Sequence, residues 1–265
     1  MSPFSFTQRG PRASTRRRQR GSAGWRSVPG LSFAQTPGPL LQVVGLCGGA
    51  GASTLACLIA ATAAAQSKGR VLVCDTGGPT AGLALYTGVS APRTLADAAQ
   101  RLAAGEPLTG GLYAATDGGL RVIAGDPQFT IAGDTAGLRR VLADARATHA
   151  LTVLDGGTLA RDAEKIALAQ ATHIAWVLPA TAGAIARARR TLARVKALSC
   201  RELIVARAEV STPKPPIAAL RDLAAERRAP LVLMPRIGDL AHTPVARAAE
   251  EADLTLQAIG WWLRR

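Results

Sequence analysis

Six short apolar runs, continuous rather than alternating, constrain the fold of this sequence more than any other feature. Continuous runs predict strands buried on both faces, because a half-exposed strand alternates apolar and polar residues. Segments rich in Ala, Leu and Arg, which form helices well, separate them. This alternation predicts an α/β domain, a doubly wound and mostly parallel sheet with helices on both faces and a ligand site at the carboxyl ends of the strands. The predicted strands are 41–46, 71–74, 151–155, 173–178, 202–206 and 231–234, and the predicted helices are 53–66, 94–104, 135–148, 161–170, 182–198 and 216–228.

The net charge of +14 is concentrated at the N-terminus. Residues 1–38 contain seven Arg and no acidic residue, whereas the remainder carries 25 basic and 18 acidic residues. Because this segment is rich in Ser, Gly and Pro without periodicity, we predict a disordered basic tail over 1–38 and one domain over 39–265. The tail is either a plain extension or an electrostatic arm for nucleic acid or an anionic membrane. It lacks the continuous apolar segment of a secretory signal.

Cysteine and histidine usage favours a reducing cytoplasm and no metal centre. The four cysteines lack both the density of a disulfide scaffold and the paired spacing of a zinc site. Cys47 and Cys74 are expected near the ends of two strands that lie close together, as buried and inert thiols rather than a redox pair. We expect structural roles for the three histidines, His149, His173 and His242, because no ligand spacing links them.

A glycine-rich segment between the first predicted strand and the first predicted helix is the strongest sign of a ligand site. Glycines at such a point let backbone N–H groups converge on an anion, and the helix N-terminus adds the positive end of its dipole. The strict phosphate-loop motif requires Lys before its Ser or Thr, and Ala52 stands there. The predicted phosphate loop comprises Gly48, Gly49, Ala50, Gly51, Ala52, Ser53 and Thr54.

From about residue 41 to residue 252, the order of motifs resembles the ParA/MinD group of deviant Walker A P-loop ATPases, which implies a P-loop NTPase-like three-layer fold. The family loop K-G-G-x-G-K-[ST] is matched by Cys47–Ser53, with both lysines replaced. Its acidic D-x-D segment is matched by Asp75 and Gly77, and its Walker B aspartate by Asp155. The adenine-contacting Asn is replaced by Ala206. Two further matches are Trp176–Pro179 and Leu233–Pro235.

The resemblance implies a degenerate ATPase site. In the family, the two loop lysines neutralise phosphate charge in the same subunit and across a dimer, and the second acidic residue orients the attacking water. Ala52, Cys47 and Gly77 remove these three functions. The Mg²⁺ side is retained as Ser53, Asp75 and Asp155. We therefore expect weak ATP/Mg²⁺ binding by a pseudo-ATPase, with no other lysine placed to substitute.

Within the family, the loop is most similar to the CpaE/TadZ-like branch, which includes septum-site-determining-like proteins. The resemblance implies a localisation or partitioning protein that acts in septum or pole placement, or in secretion and pilus assembly, without efficient ATP hydrolysis. It also implies a homodimer and a secretion or pilus ATPase as partner. The alternative is a slow ATPase of chromosome partitioning or cell division that binds DNA nonspecifically.

Two surfaces are candidates for anchoring such a protein. One is a basic helix face, formed by Arg187, Arg190 and Arg194 at helical spacing. This face either binds polyanions such as DNA phosphates or is simply a solvated helix face. Near the C-terminus, Trp261 and Trp262 follow an apolar segment and precede two Arg. They suit either the headgroup region of an anionic membrane or a helix docked on the core. The expected location is cytoplasmic, or peripheral at the inner face of the plasma membrane.

Overall fold

The computed structural model describes residues 37–67, 70–76, 82–89, 93–108, 114–115, 119–125, 135–195, 198–212 and 214–264. Residues 1–36 of the predicted tail and Gly77 lie outside these ranges. Within them the chain forms one nine-stranded sheet. Its strands are β1 (Leu40–Gly45), β2 (Val71–Asp75), β3 (Arg93–Thr94), β4 (Ala114–Ala115), β5 (Arg121–Ala124), β6 (Leu151–Asp155), β7 (His173–Pro179), β8 (Arg201–Arg207) and β9 (Leu231–Met234).

Helices cover both faces of the sheet and make three layers. Helices α1, α2, α8 and α9 bury their apolar side chains against one face, and α3 to α7 bury theirs against the other. Because the side chains of each central strand point alternately to the two faces, both faces are apolar. The helices are α1 (Ala52–Gln66), α2 (Gly82–Thr87), α3 (Leu95–Ala103), α4 (Thr135–Thr148), α5 (Asp162–Gln170), α6 (Ala182–Arg194), α7 (Ile217–Glu226), α8 (Val245–Glu251) and α9 (Asp253–Leu263).

The strand order is β3-β5-β2-β6-β1-β7-β8-β9, and β4 pairs with β5. Every neighbouring pair is parallel except β4 and β5. The predicted doubly wound, mostly parallel sheet is therefore confirmed. Because β6 lies between β1 and β2, the chain leaves β1 in one direction and crosses from β6 to β7 in the other. This reversal opens a crevice at the carboxyl ends of the central strands, where α/β folds bind ligands.

The six predicted strands and six predicted helices are all present, with shifted ends and additional neighbours. The sequence does not predict β5, because Arg121 begins it and its apolar run has only three residues, nor the two-residue strands β3 and β4. It also missed the short helices α2 and α8. Helix α6 ends at Arg194 rather than at residue 198, because Val195 takes an extended conformation.

The expectation that both thiols are buried is confirmed for Cys74 and is wrong for Cys47, which is partly exposed in the loop after β1. One strand, β6, lies between β1, which Cys47 follows, and β2, which contains Cys74. Burial, with the carboxylates of Asp75 and Asp155, raises the pKa of the Cys74 thiol well above its ordinary value. A buried thiol of this kind is an inert core side chain.

The packed domain begins slightly earlier than predicted, at the end of the segment assigned to the tail. Gly38 is buried, and its N–H donates to the carbonyl of Arg146 at 3.0 Å. A Cβ at this position would lie 2.3 Å from the carbonyl oxygen of His149, so only glycine fits there. Gly38 therefore belongs to the domain rather than to the tail.

The C-terminal helix α9 places its two tryptophans in opposite environments. Trp262 is buried, and its ring makes an edge contact with His173 at a centroid distance of 5.0 Å. Trp261 is 53% exposed, and Leu254, two turns earlier on the same face, is 82% exposed. Trp262 thus packs on the core of the domain, whereas Trp261 lies at the surface. Among the helices that the structure describes, none has the length and apolarity to cross a membrane.

Candidate nucleotide-binding site

The glycine-rich loop lies in the crevice at the carboxyl end of β1. Its first residues are fixed by two backbone hydrogen bonds, from Gly45 N–H to the Gly157 carbonyl and from Leu46 N–H to the Val177 carbonyl, both 2.8 Å. Gly49 and Gly51 have φ angles of +69° and +97°, a region that L side chains rarely adopt. The glycines are thus required by the path of the loop, which turns directly into α1.

Helix α1 presents its N-terminus to the loop without a side-chain cap. Gly51 is the N-cap residue and makes no side-chain hydrogen bond, and the first turn holds no acidic residue. The first N–H groups of a helix carry partial positive charge and suit an anion. Ten of the fifteen residues of α1 are buried between the sheet and its neighbouring helices, which fixes this N-terminus in place.

A pocket of about 560 Å³ opens in front of the loop. Six of the seven predicted loop residues line it, and Gly48 does not. Ala52 occupies the position of the family lysine with a small side chain that is only 7% exposed. The pocket wall therefore has no cation from the loop itself. The loop residues in the wall are Cys47, Gly49, Ala50, Gly51, Ala52, Ser53 and Thr54.

Behind the loop, the structure brings together two of the three predicted Mg²⁺ ligands. The Ser53 hydroxyl hydrogen-bonds to the Asp155 carboxylate, which also accepts from the Gly157 N–H at 3.4 Å. Asp155 is buried, and this burial raises the pKa of its carboxyl group, although both hydrogen bonds act against the rise. A buried carboxylate without a countercharge is costly, and a divalent cation would remove that cost.

The third predicted ligand, Asp75, lies at the adjacent strand end. It is the register partner of Asp155 in the β2–β6 pairing, and it is buried. Thr76, which the sequence reading did not select, fixes the two ends together. Its N–H and its hydroxyl both donate to the Asp155 carbonyl, at 2.9 and 2.7 Å. Gly77, at the position of the second acidic residue, lies outside the described residues.

The retained residues fit a magnesium-bound nucleotide. Mg²⁺ takes oxygen ligands and usually keeps only one or two from the protein, with waters and substrate phosphates completing the octahedron. A hydroxyl and a buried carboxylate, beside a glycine-rich loop at a helix N-terminus, meet that requirement. A Cβ built on Gly49 would meet no atom within 4 Å, so no side chain fills the space above that residue.

The far wall of the pocket contains residues that sequence reasoning missed. Arg207 ends β8, and its side chain reaches across to Gly51. Tyr86, on α2, hydrogen-bonds to Thr54, and burial raises the pKa of its phenol. Only the strand order could have pointed to these residues, because loops at the carboxyl ends of the strands converge on one crevice in this fold. The other residues of this wall are Glu209, Arg236, Ile237, Gly238 and Asp239.

The remaining predicted residues lie away from the pocket. Arg187, Arg190 and Arg194 are exposed on α6. His149 and His173 are buried beside the amino ends of β6 and β7. His242 is exposed in a loop, with its Nδ1 atom 3.5 Å from Asp239. Among the residues that the structure describes, no three His, Cys, Asp or Glu side chains converge on a metal position.

Comparison with solved structures identifies the fold. The chain is similar to a ParA family ATPase from Chlorobium tepidum TLS, with a TM-score of 0.67 and 17% identity over 88% of this chain and 99% of the other. It is similar to the septum site-determining protein MinD complexed with Mg-ADP from Pyrococcus horikoshii OT3, with a TM-score of 0.64 and 18% identity over 83% and 94%.

A third similar structure is the MinC:MinD cell division protein complex of Aquifex aeolicus, with a TM-score of 0.63 and 16% identity over 83% of this chain and 96% of the other. No protein-family model matches the sequence, and a search of curated proteins finds no match either. The chain thus has the fold of the ParA/MinD ATPases, as the order of its motifs predicts.

Proposed function

We propose that this chain, which has the ParA/MinD fold, is a localisation or partitioning protein that binds a magnesium nucleotide and hydrolyses it poorly. The observation that supports this best is the arrangement of the glycine loop. It opens onto the 560 Å³ pocket with an uncapped helix N-terminus, and the Ser53–Asp155 pair lies directly behind it. A structural turn between strand and helix would not require this buried carboxylate.

Binding would rest on the backbone and on the Mg²⁺ side of the site. The N–H groups around Gly49 and Gly51 and the N-terminus of α1 would hold the phosphates. Ser53 and Asp155 would hold Mg²⁺, with Asp75 next to them at the end of β2. Bound Mg²⁺ neutralises phosphate charge. The cation would also offset the cost of burying the Asp155 carboxylate.

We expect ATP hydrolysis at background level at saturating Mg-ATP. Phosphoryl transfer depends on positioned cations and on an oriented water, and the family groups for both are replaced by Ala52, Cys47 and Gly77. Ala52→Lys alone should raise nucleotide affinity without restoring turnover, because residues that act as a unit do not recover activity singly. Isothermal titration calorimetry and a phosphate-release assay on the purified full chain measure the two quantities.

Asp155→Ala is the control for metal-dependent binding. It should abolish the Mg²⁺-dependent part of nucleotide binding and leave any metal-free binding in place. Mg²⁺-dependent turnover by the unmodified protein that Asp155→Ala abolishes would contradict the proposal of poor hydrolysis. It would favour the alternative, a slow ATPase. Absence of nucleotide binding in the unmodified protein would contradict the nucleotide site itself.

The finer part of the proposal concerns the biological setting. The loop resembles that of the CpaE/TadZ-like branch, which supports a role in septum or pole placement or in secretion and pilus assembly. A homodimer and a secretion or pilus ATPase are the proposed partners. The proteins with this fold include a MinC:MinD cell division complex, so assembly with a protein partner has a precedent among them.

For anchoring, we propose that the exposed face of α9 contacts an anionic membrane surface. Leu254 and Trp261 share this face, and Leu233 on the edge strand β9 is 50% exposed. Trp261→Ser should reduce co-sedimentation with vesicles of anionic phospholipid severalfold and leave the melting temperature within about 2 °C, because exposed substitutions change stability little. Trp262→Ser, its neighbour, should instead lower the melting temperature, because Trp262 is buried.

The competing surface is the basic face of α6. Arg187, Arg190 and Arg194 are exposed there and would contact DNA phosphates. Retention of vesicle binding by Trp261→Ser would contradict the membrane surface. Salt-sensitive DNA binding that Arg190→Gln weakens would then assign anchoring to α6.

A further inference from the structure

Arg207 supplies a cation to the loop from outside the loop. It is the last residue of β8, and its side chain crosses the carboxyl edge of the sheet to Gly51, the N-cap of α1. A Cβ built on Gly51 would lie 3.4 Å from both Cδ and Nη1 of Arg207. The guanidinium therefore lies beside the loop, where a side chain at Gly51 would touch it, in the wall of the same pocket.

Two features hold the guanidinium in this position. The backbone is fixed on both sides, by the bond from Ala180 N–H to the Arg207 carbonyl and the bond from Ala208 N–H to the Met234 carbonyl, both 2.8 Å. The side chain is fixed by Glu209, whose Oε1 accepts from Nε at 3.1 Å and from Nη2. The two side chains are only 27% and 24% exposed, so water screens this pair less than a surface pair.

This pairing orients the fork of the guanidinium. Glu209 engages the Nε and Nη2 edge, and the third nitrogen, Nη1, is the one next to Gly51. The N–H groups of Nη1 are thus presented toward the loop. Arginine suits this task because its planar donors bind phosphate oxygens in pairs, and because its charge persists at every physiological pH.

We propose that Arg207 replaces the missing loop lysine and contacts the terminal phosphates of the bound nucleotide. The inference rests on the proposed function, since it names a residue of the same nucleotide site. Ala52 leaves the loop without its own cation, and Arg207 places one at the same end of α1 from β8, two strands away from β1. The ligand is accordingly a nucleoside di- or triphosphate, whose charged phosphates meet the loop and Arg207 together.

The first test compares Mg-ATP affinity between the unmodified chain and Arg207→Gln. Because a hydrogen bond to a charged group contributes more than a neutral one, we expect the dissociation constant to rise about 10- to 100-fold. Arg207→Lys keeps the charge and should retain part of the affinity. If Arg207→Gln folds poorly, the affinity of Arg207→Lys relative to the unmodified chain still tests the contact. Arg189→Gln is the matched control, because Arg189 also pairs with a glutamate, Glu226, but lies outside the pocket.

The second test is a double-mutant cycle with Ala52→Lys. If Arg207 already performs the task of the lysine, Ala52→Lys should raise affinity more in the Arg207→Gln background than in the unmodified chain. A purely structural Arg207 predicts equal gains in the two backgrounds, because independent sites add. The coupling is read from binding constants alone, and a melting curve of each variant confirms that it is folded.

The outcomes separate this inference from the function on which it rests. Binding of Mg-ATP by the unmodified chain with equal affinity in Arg207→Gln would overturn the inference and leave the nucleotide site intact. Equal gains from Ala52→Lys in both backgrounds would also overturn it. No Mg-ATP binding by the unmodified chain would overturn the proposed function, and the inference with it.

Discussion

Lowering the pH from 6.5 to about 4 should remove up to about 6 kcal/mol of the free energy of unfolding, through His149 and His173. Burial lowers the pKa of both imidazoles from 6.5 to about 4. Between those values the unfolded chain binds protons that the folded chain does not, so stability is present above pH 6.5 and is lost as the pH falls. Each histidine contributes up to about 3 kcal/mol.

The surroundings of each ring explain why its charged form is disfavoured. The Nε2 atom of His149 lies 3.3 Å from Arg121 Nη1, and its Nδ1 atom lies 3.1 Å from the Ala145 carbonyl, so the neutral ring accepts at one side and donates at the other. Nε2 of His173 is buried without a hydrogen-bond partner among the described residues. Protonation would place a second cation beside Arg121 and a buried, unpaired N–H on His173.

Urea denaturation between pH 4 and pH 7 measures this effect. His173→Phe keeps a ring against Trp262 and removes the titrating group, so it should roughly halve the loss of stability in acid. Burial raises the pKa of the Asp144, Asp155 and Glu164 carboxyls, which change stability in the opposite direction. Comparison with His173→Phe cancels their contribution. An unchanged acid slope in this variant would contradict the assignment to His173.

Glu202→Ala should destabilise the domain by about 3–5 kcal/mol, because it removes one member of a buried ion pair. The Glu202 carboxylate accepts from Trp176 Nε1 at 2.7 Å and from Arg227 Nε and Nη2 at 2.9 and 2.6 Å. The Glu202 and Arg227 side chains are only 10% and 16% exposed, and Trp176 is fully buried. The substitution leaves a cation and an indole N–H without their acceptor.

Thermal and urea unfolding measure this loss, and the expected fall in melting temperature is roughly 10 °C. Glu226→Ala is the matched control, since it breaks an ion pair with Arg189 whose members are 51% and 43% exposed. Because exposed pairs contribute little, this control should cost less than about 1 kcal/mol. If the two variants lost similar stability, the buried network around Glu202 would not be a major source of stability.

The sequence predicts the central layers of the fold well, because their signals are local. The strands at 151–155 and 231–234 and the helix at 135–148 match the structure residue by residue. Each is a continuous apolar run or a run of strong helix formers with clear ends. The turn from β1 into α1 was also predictable, since Gly49 and Gly51 have positive φ angles that only glycine adopts readily.

The sequence-based prediction omits features of the site that depend on the order of the strands in the sheet. No local pattern indicates that β6 inserts between β1 and β2. Arg207 was visible next to Ala206, but only the arrangement of β8 against the loop shows that its side chain reaches Gly51. Burial of Trp262 likewise depends on His173, a residue nearly ninety positions earlier.

The position of β1 in the sheet also determines when this chain can fold during its synthesis. Within the described sheet, β1 pairs with β6 and β7, whose residues follow it by more than 100 positions. Leu40–Gly45 therefore leaves the ribosome as an apolar segment with no partner, and the two hydrogen bonds that fix the loop must wait for Gly157 and Val177. Such non-local pairing slows folding and prolongs the exposure of apolar segments. A chain cut short before residue 150 would carry the complete glycine loop sequence but lack the strands that hold it in shape.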